Sequence, residues 1–324
     1  MNNQIKKTAV FETFWKFASK RQEIFFNRLS NKKKPWCGDE ILNTYKFTNV
    51  YRASDRVSQY LIKHIIYNGD QSPKEILFRI LLFKLFNKID TWQLFLNSFG
   101  KVLYKEYDYD RYNKVLTEAL REGHKIYSAA YIMSSGKEYF GNKRKHQNHL
   151  RLLEMIMDEN IIENIQRAKR MQDVFLVLRS LPSIGDFLAY QYTIDINYSN
   201  IINFSENDFV VPGPGAKEGI RKCFSNLGSF SEIDIIKYMA ENQNKEFDKL
   251  GLNFKNLWGR ELMLIDIQNL FCEVDKYSRV KHPDIIGKMH RTKIKQKFVP
   301  TPEKINYWFP PKWGLNDKVN KSLK

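Results

Sequence analysis

The chain has 324 residues, of which 43% are hydrophobic and 14% aromatic, enough to build a sizeable core and to exclude global disorder. Its 53 Lys and Arg against 36 Asp and Glu give a net charge of +17, which points to a polyanionic partner rather than to a particular fold. Cys37, Cys223 and Cys272 are widely spaced and form no CxxC pair. That argues against a disulfide scaffold, a zinc site or an iron–sulfur cluster, so no metal and no cofactor are expected.

Apolar residues recur at helical spacing along most of the chain and alternating runs are scarce, which predicts an all-α protein. In order, the expected helices are Ala9–Leu29, Ser54–Tyr67, Pro73–Phe86, Thr91–Phe99, Tyr109–Glu122, Gln147–Glu159, Asn160–Arg167 and Met171–Ser180. Gly185–Ile194, Pro214–Asn226, Ser231–Asn242 and Trp258–Tyr277 follow. Ser231 reads as a capping residue, and Gly69 and Gly100 follow helix ends. The most apolar run, Ile76–Ile89, is interrupted by Arg79, Lys84 and Lys88, so it reads as a buried helix and not a membrane span. The N-terminus, charged at Lys6, Lys7, Glu12 and Lys16, lacks a signal-peptide core. A cytoplasmic protein without membrane contact is expected. Three parts are anticipated: an N-terminal helix with the basic linker Lys32–Lys34 (1–47), a helical domain (48–280), and a basic, aromatic tail (281–324) packing on that domain.

Four segments are too polar or too special to be plain packing. In Thr48–Leu61, Arg52, Asp55, Arg56 and Gln59 share one side of a helix beside Tyr51 and Tyr60, either as a solvated charge ladder or as the aromatic-plus-amide chemistry that holds an extruded base. Ile126–Met133 is small and aromatic, and its Tyr127 and Tyr131 suit base stacking or a tight helix pair. Between Leu181 and Asp208, the turn Leu-Pro-Ser-Ile-Gly opens into an apolar helix, leaving backbone N–H groups of Ser183, Ile184 and Gly185 for a phosphate. A second turn, Gly213-Pro214-Gly215, offers the same with Lys217, or is an ordinary loop; it is not a GxxxxGK[ST] phosphate loop, and no nucleotide cofactor is expected. In Leu264–Tyr277, Asp266, Asn269 and Glu273 share a face of an apolar helix, with Gln268 beside them, as a buried network or part of a pocket.

The hairpin resembles the helix-hairpin-helix of DNA glycosylases, in which an aspartate follows the hairpin glycine by about twenty residues; here Asp208 lies 23 residues after Gly185. Together, TNVYRASDRVSQYL, LPSIGDFLAYQ, VPGPGAKEG and DIQNLFCEVDKY look like the alpha-glutamyl/putrescinyl thymine pyrophosphorylase family, also known as the helical domain linked to hydroxymethyluracil DNA kinases. The resemblance spans about Thr48 to Tyr277. It implies two helical lobes around a cleft and work on hypermodified DNA bases, either modifying activated thymine derivatives or excising bulky bases in defence against phages. It places Asp208 at the glycosylase aspartate and Phe187 where bifunctional relatives carry a lysine. The spacing to Asp208 is longer than usual and no Val-Asp pair precedes it, which keeps Asp55 and Asp266 as alternates.

The leading expectation is therefore a monofunctional glycosylase that flips a modified base of double-stranded DNA and hydrolyses its glycosidic bond, with Tyr51, Arg52, Arg56, Gln59, Tyr127, Tyr131, Gln268 and Asn269 around the base. The rivals are a transferase that adds an amine or amino acid to an activated hydroxymethyluracil, and a non-catalytic DNA-binding module.

Overall fold

A computed structural model describes residues 4–130, 132–300 and 305–322. The described residues are mostly helical, with one two-stranded antiparallel sheet among them pairing Lys6–Lys7 with Phe224–Asn226. That strand ends the Pro214–Cys223 helix three residues earlier than the sequence pattern suggests. The chain resolves into two compact units: the described residues of 1–55, 209–307 and 313–322, and those of 56–130, 132–208 and 308–312. The hairpin near the middle of the sequence thus lies inside the second unit, and the N-terminal helix belongs to the first.

In the first unit, the Ala9–Leu29 helix is capped by Thr8, whose Oγ1 accepts from Val10 N at 3.1 Å. Its apolar side chains, among them Phe11, Phe14, Trp15 and Phe17, are buried, with Phe14 packing on Phe271 of the Leu264–Lys281 helix. Pro214–Cys223 crosses that same helix at Gly219, where a Cβ would lie 2.0 Å from the Phe271 carbonyl oxygen. A crossing this close demands glycine. Beside it Lys222 and Asp275 form a buried ion pair at 2.9 Å, and Arg279 reaches the same carboxylate at 2.5 Å. Ser231 caps the Glu232–Glu241 helix reciprocally with Asp234. The expected start at Trp258 is wrong: Trp258 and Gly259 take φ of 51° and 98°, and the helix begins only at Leu264. The tail aromatics pack, with Tyr307 against Phe25 and Phe298 against Trp36.

The second unit is built around Pro73–Phe86, which is buried nearly throughout. Its charges are all held: Arg79 donates to the carbonyls of Ile65 and Asp70, while Lys84 pairs with Asp195 at 3.1 Å and with Asn87 Oδ1 at 2.8 Å. The Arg56–Tyr60 helix runs on as a π-helical turn over Leu61–Ile66. Residues 126–130 and 132–136 are irregular rather than helical, which removes the helix-pair reading of Ile126–Met133. The hairpin consists of Met171–Arg179 and Asp186–Asn197, packed on each other. Among the described residues no helix is long and apolar enough to cross a membrane.

Candidate active site

The segment Thr48–Asp55 of the first unit is fixed from three sides. Arg52 N donates to Asp266 Oδ1 at 2.8 Å, and Thr48 N donates to Glu273 Oε2 at 3.0 Å. Tyr51 Oη donates to the Arg260 carbonyl at 2.6 Å and accepts from Leu257 N at 3.2 Å. From the Ala9–Leu29 helix, Arg21 Nε donates to the Thr48 carbonyl at 2.9 Å. The segment closes on itself where Asn49 N donates to Asp55 Oδ1 at 2.7 Å and Asn49 Nδ2 to the Ser54 carbonyl at 2.7 Å. Asp266 and Glu273, 214 and 225 residues along the chain from the groups they hold, are therefore the anchors of this segment, which is the hydrogen-bond-network reading of that helix face.

Burial dominates the electrostatics here. It pushes the Asp55 carboxyl up to about 7, against the pull of the Asn49 N–H and the Arg21 guanidinium, with Glu273 adding to the rise and Arg52 opposing it. Tyr307 rises to about 12 through burial, with Arg28 and Arg21 drawing it back. Asp55 thus stands in the field of two buried arginines, Arg21 and Arg52, with Arg28 acting in turn on Arg21, and its proton is exchangeable near neutrality.

Arg21 also lines a cavity of about 340 Å³ together with Arg28, Lys34, Trp36, Phe47 and Phe298. Arg21 is 7% exposed, and its Nη1 has no hydrogen-bond partner among the described residues. A buried donor left unmet costs about 1–3 kcal/mol, so this edge of the guanidinium is suited to an anionic group. Lys34 Nζ stands 4.8 Å from both the Trp36 and Phe298 ring centroids. Three cations on aromatic walls can hold a phosphate or carboxylate attached to a flat ring.

The sequence-predicted residues distribute unevenly. Tyr51, Arg52, Asp55 and Asp266 come together in the first unit. Gln268 is fully buried with Nε2 3.3 Å from Cys272 Sγ, and Asn269 is half-buried on the same helix. Gly215 faces Cys272, where a Cβ would come within 3.1 Å of Sγ, so its glycine serves helix packing; Gly213 is buried and Lys217 half-buried. In the second unit Arg56 is exposed, and Gln59 accepts from Trp308 N at 2.7 Å, holding the tail. Tyr127 Oη bonds His149 Nδ1 at 3.0 Å, and Tyr131 lies outside the described residues. Ser183 has a φ of 64°, Ile184 is buried and Gly185 is exposed at the start of the Asp186–Asn197 helix, which no side chain caps. Asp208 is exposed, and its Oδ2 accepts from Met171 N at 3.0 Å, satisfying the first turn of a helix. Sequence reasoning missed Arg21, Arg28 and Tyr307. The available signal was Arg21 and Arg28 seven residues apart, two turns along an otherwise aromatic helix.

The model of the helical domain of 5-hmdU DNA kinase matches residues 8–287, most of the chain. The chain belongs to this family. It is also 28% identical over 275 residues to a 5-hmdU DNA kinase of Bacillus phage SP10, covering 79% of this chain but 43% of that protein. The chain thus spans less than half the length of the relative. No solved structure matches. These relationships overturn the expectation of a glycosylase: a family and a relative named for a kinase on a modified deoxyuridine in DNA are transferases, not hydrolases of the glycosidic bond. The associated picture of base excision in phage defence goes with it. Equally, a kinase relative gives no support to the expectation that no nucleotide takes part. The match begins at residue 8, so the family includes the N-terminal helix that the sequence resemblance left out.

Proposed function

We propose that this chain is a transferase acting on the 5-substituent of a hydroxymethyluracil base in double-stranded DNA, replacing an activated leaving group with an amine or amino acid and leaving the glycosidic bond intact. The supporting context is a family named for a 5-hmdU DNA kinase, because phosphorylation turns a hydroxyl into a leaving group. The observation that carries the reading is Asp55, a half-buried residue whose carboxyl is raised to about 7 by desolvation beside Arg21. In this reaction the amine nitrogen attacks the substituent methylene, the C–O bond breaks, and the oxygen departs with its electron pair as phosphate. The nitrogen's proton passes to the Asp55 carboxylate, which is basic enough to take it at neutral pH. Arg21, Arg28 and Lys34 take the charge of the departing phosphate in the adjoining cavity. The turns at Ser183–Gly185 and Gly213–Lys217 supply backbone contacts to DNA phosphates, and the net charge of +17 supplies affinity that weakens steeply with salt.

The test is to incubate the protein with duplexes carrying 5-phosphomethyluracil and a panel of amines and amino acids, then digest and identify nucleosides by mass spectrometry. The reading expects an amine adduct with loss of phosphate and no abasic sites. Unchanged nucleosides with every donor, beside phosphorylation of hydroxymethyluracil when ATP is supplied, would replace it by phosphoryl transfer.

A further inference from the structure

In the second unit, residues 126–130 and 132–136 are irregular yet unusually well fastened. His149, fully buried, has Nε2 2.9 Å from the Ser134 carbonyl and Nδ1 3.0 Å from Tyr127 Oη. Burial lowers its pKa to about 4, so the ring is neutral, donating through Nε2 and accepting the tyrosine hydroxyl at Nδ1. Asn148, 1% exposed, donates to the Ser135 carbonyl at 2.9 Å, and Lys145 Nζ donates to the Met133 carbonyl at 2.9 Å. Three successive carbonyls are thus held by three side chains of one helix, Lys145–Ile156. Met133 plugs the core, where Tyr192 Oη meets its sulfur at 3.0 Å, and Ile126 is buried at the loop's other end.

Against this anchoring, Ile132 is 79% exposed. Surface isoleucines on mobile loops need no explanation, but a buried polar clamp on the three residues that follow fixes where this one points. The loop leads into Tyr139, 60% exposed, and into the exposed cations Lys137, Lys143 and Arg144. Gly136 lies against the hairpin turn, where a Cβ would stand 3.4 Å from Ser183 Oγ. An apolar tip is therefore held at the head of a net-positive stretch, beside a turn with an uncapped helix start. The exposed charges of this stretch, Lys137, Lys143 and Arg144 against Glu138, are net positive, which suits a polyanion with an apolar interior.

We propose that Ile132 is a wedge that enters double-stranded DNA between stacked bases, with Lys137, Lys143 and Arg144 on the flanking phosphates, and fills the space a displaced base leaves. This rests on DNA being the substrate but not on the transfer chemistry. The test uses a duplex containing hydroxymethyluracil beside 2-aminopurine, whose fluorescence rises when it unstacks. The full chain and Ile132→Ala are compared at fixed salt, with affinity read separately by anisotropy. Ile132→Ala is expected to bind within about threefold of the parent, because the phosphate contacts remain, yet to lose most of the fluorescence gain, about fivefold or more. His149→Ala, which frees the loop, is expected to fall between them. Equal gains for the parent and Ile132→Ala, or binding without any gain by the parent, overturn the wedge alone. No binding by the parent to this or an unmodified duplex overturns the DNA reading itself.

Discussion

Asp55 and Asp208 are both aspartates that accept a backbone N–H, and they sit in opposite physical surroundings. Asp208 is exposed and completes the first turn of the Met171–Arg179 helix. Asp55 sits where desolvation outweighs an N–H donor and the arginines Arg21 and Arg52, and it stays protonated up to about pH 7. The comparison teaches that position relative to a hairpin glycine carries less chemical information than the solvent and charge around the carboxyl. Motif spacing singled out Asp208; environment singles out Asp55.

The strongest way to break the comparison is Asp55→Asn. It should lower the transfer rate about 10²- to 10⁴-fold without changing DNA affinity, as removal of a general base does, in single-turnover assays read by mass spectrometry. A rate within threefold of the parent would end Asp55's candidacy. The same substitution has a stability signature. Because the folded pKa is raised from 3.8 to about 7, the folded state holds the proton more tightly. That contribution is complete below about pH 4 and is lost as pH climbs through about 7. Asp55→Asn should therefore gain about 1–3 kcal/mol over the parent at pH 8 in urea titrations, below the ceiling of about 4 that the full shift allows, since the residue keeps some solvent access. At pH 4 the two proteins should melt together.

Smaller effects sharpen the other side. Asp208→Ala should cost about 1 kcal/mol through the lost helix-terminus bond and leave the rate within about twofold. A rate loss of the Asp55 kind would reverse the assignment. Arg21→Gln removes a charge that draws the Asp55 carboxyl down. The rising limb of the pH–rate profile should then move to higher pH, with only a few-fold loss at neutral pH beyond that of weaker phosphate holding. An unmoved limb would show that Arg21 does not reach the carboxyl electrostatically.

The helices were legible where periodicity and punctuation agreed. Ala9–Leu29 and Pro73–Phe86 match residue for residue, and Ser231 caps as its sequence implies. The misplaced start at Trp258 came from two left-handed backbone positions that an aromatic residue does not advertise. The irregular stretch at 132–136 was obscured because its order comes from His149, Asn148 and Lys145, which lie beyond it in sequence. The candidate site was half legible. Tyr51, Arg52, Asp55 and Asp266 lie in quotable motifs, whereas Arg21, Arg28 and Tyr307 reach the site through tertiary packing of the two ends of the chain. Glycine adds a further lesson: Gly219, just past the Gly213-Pro214-Gly215 turn, is explained by packing, since it lets one helix press on another.

The crossing at Gly219 has a genetic consequence. Every amino acid one nucleotide away from a glycine codon carries a Cβ, and here that carbon would fall 2.0 Å from a main-chain oxygen that no rotamer change can move. Two nucleotides of the coding sequence therefore tolerate almost no variation, although they lie outside any reacting group. Alleles with alanine or serine at this codon are candidates for heat-sensitive inactivation, giving a means of switching the protein off in a growing culture while its chemistry stays intact.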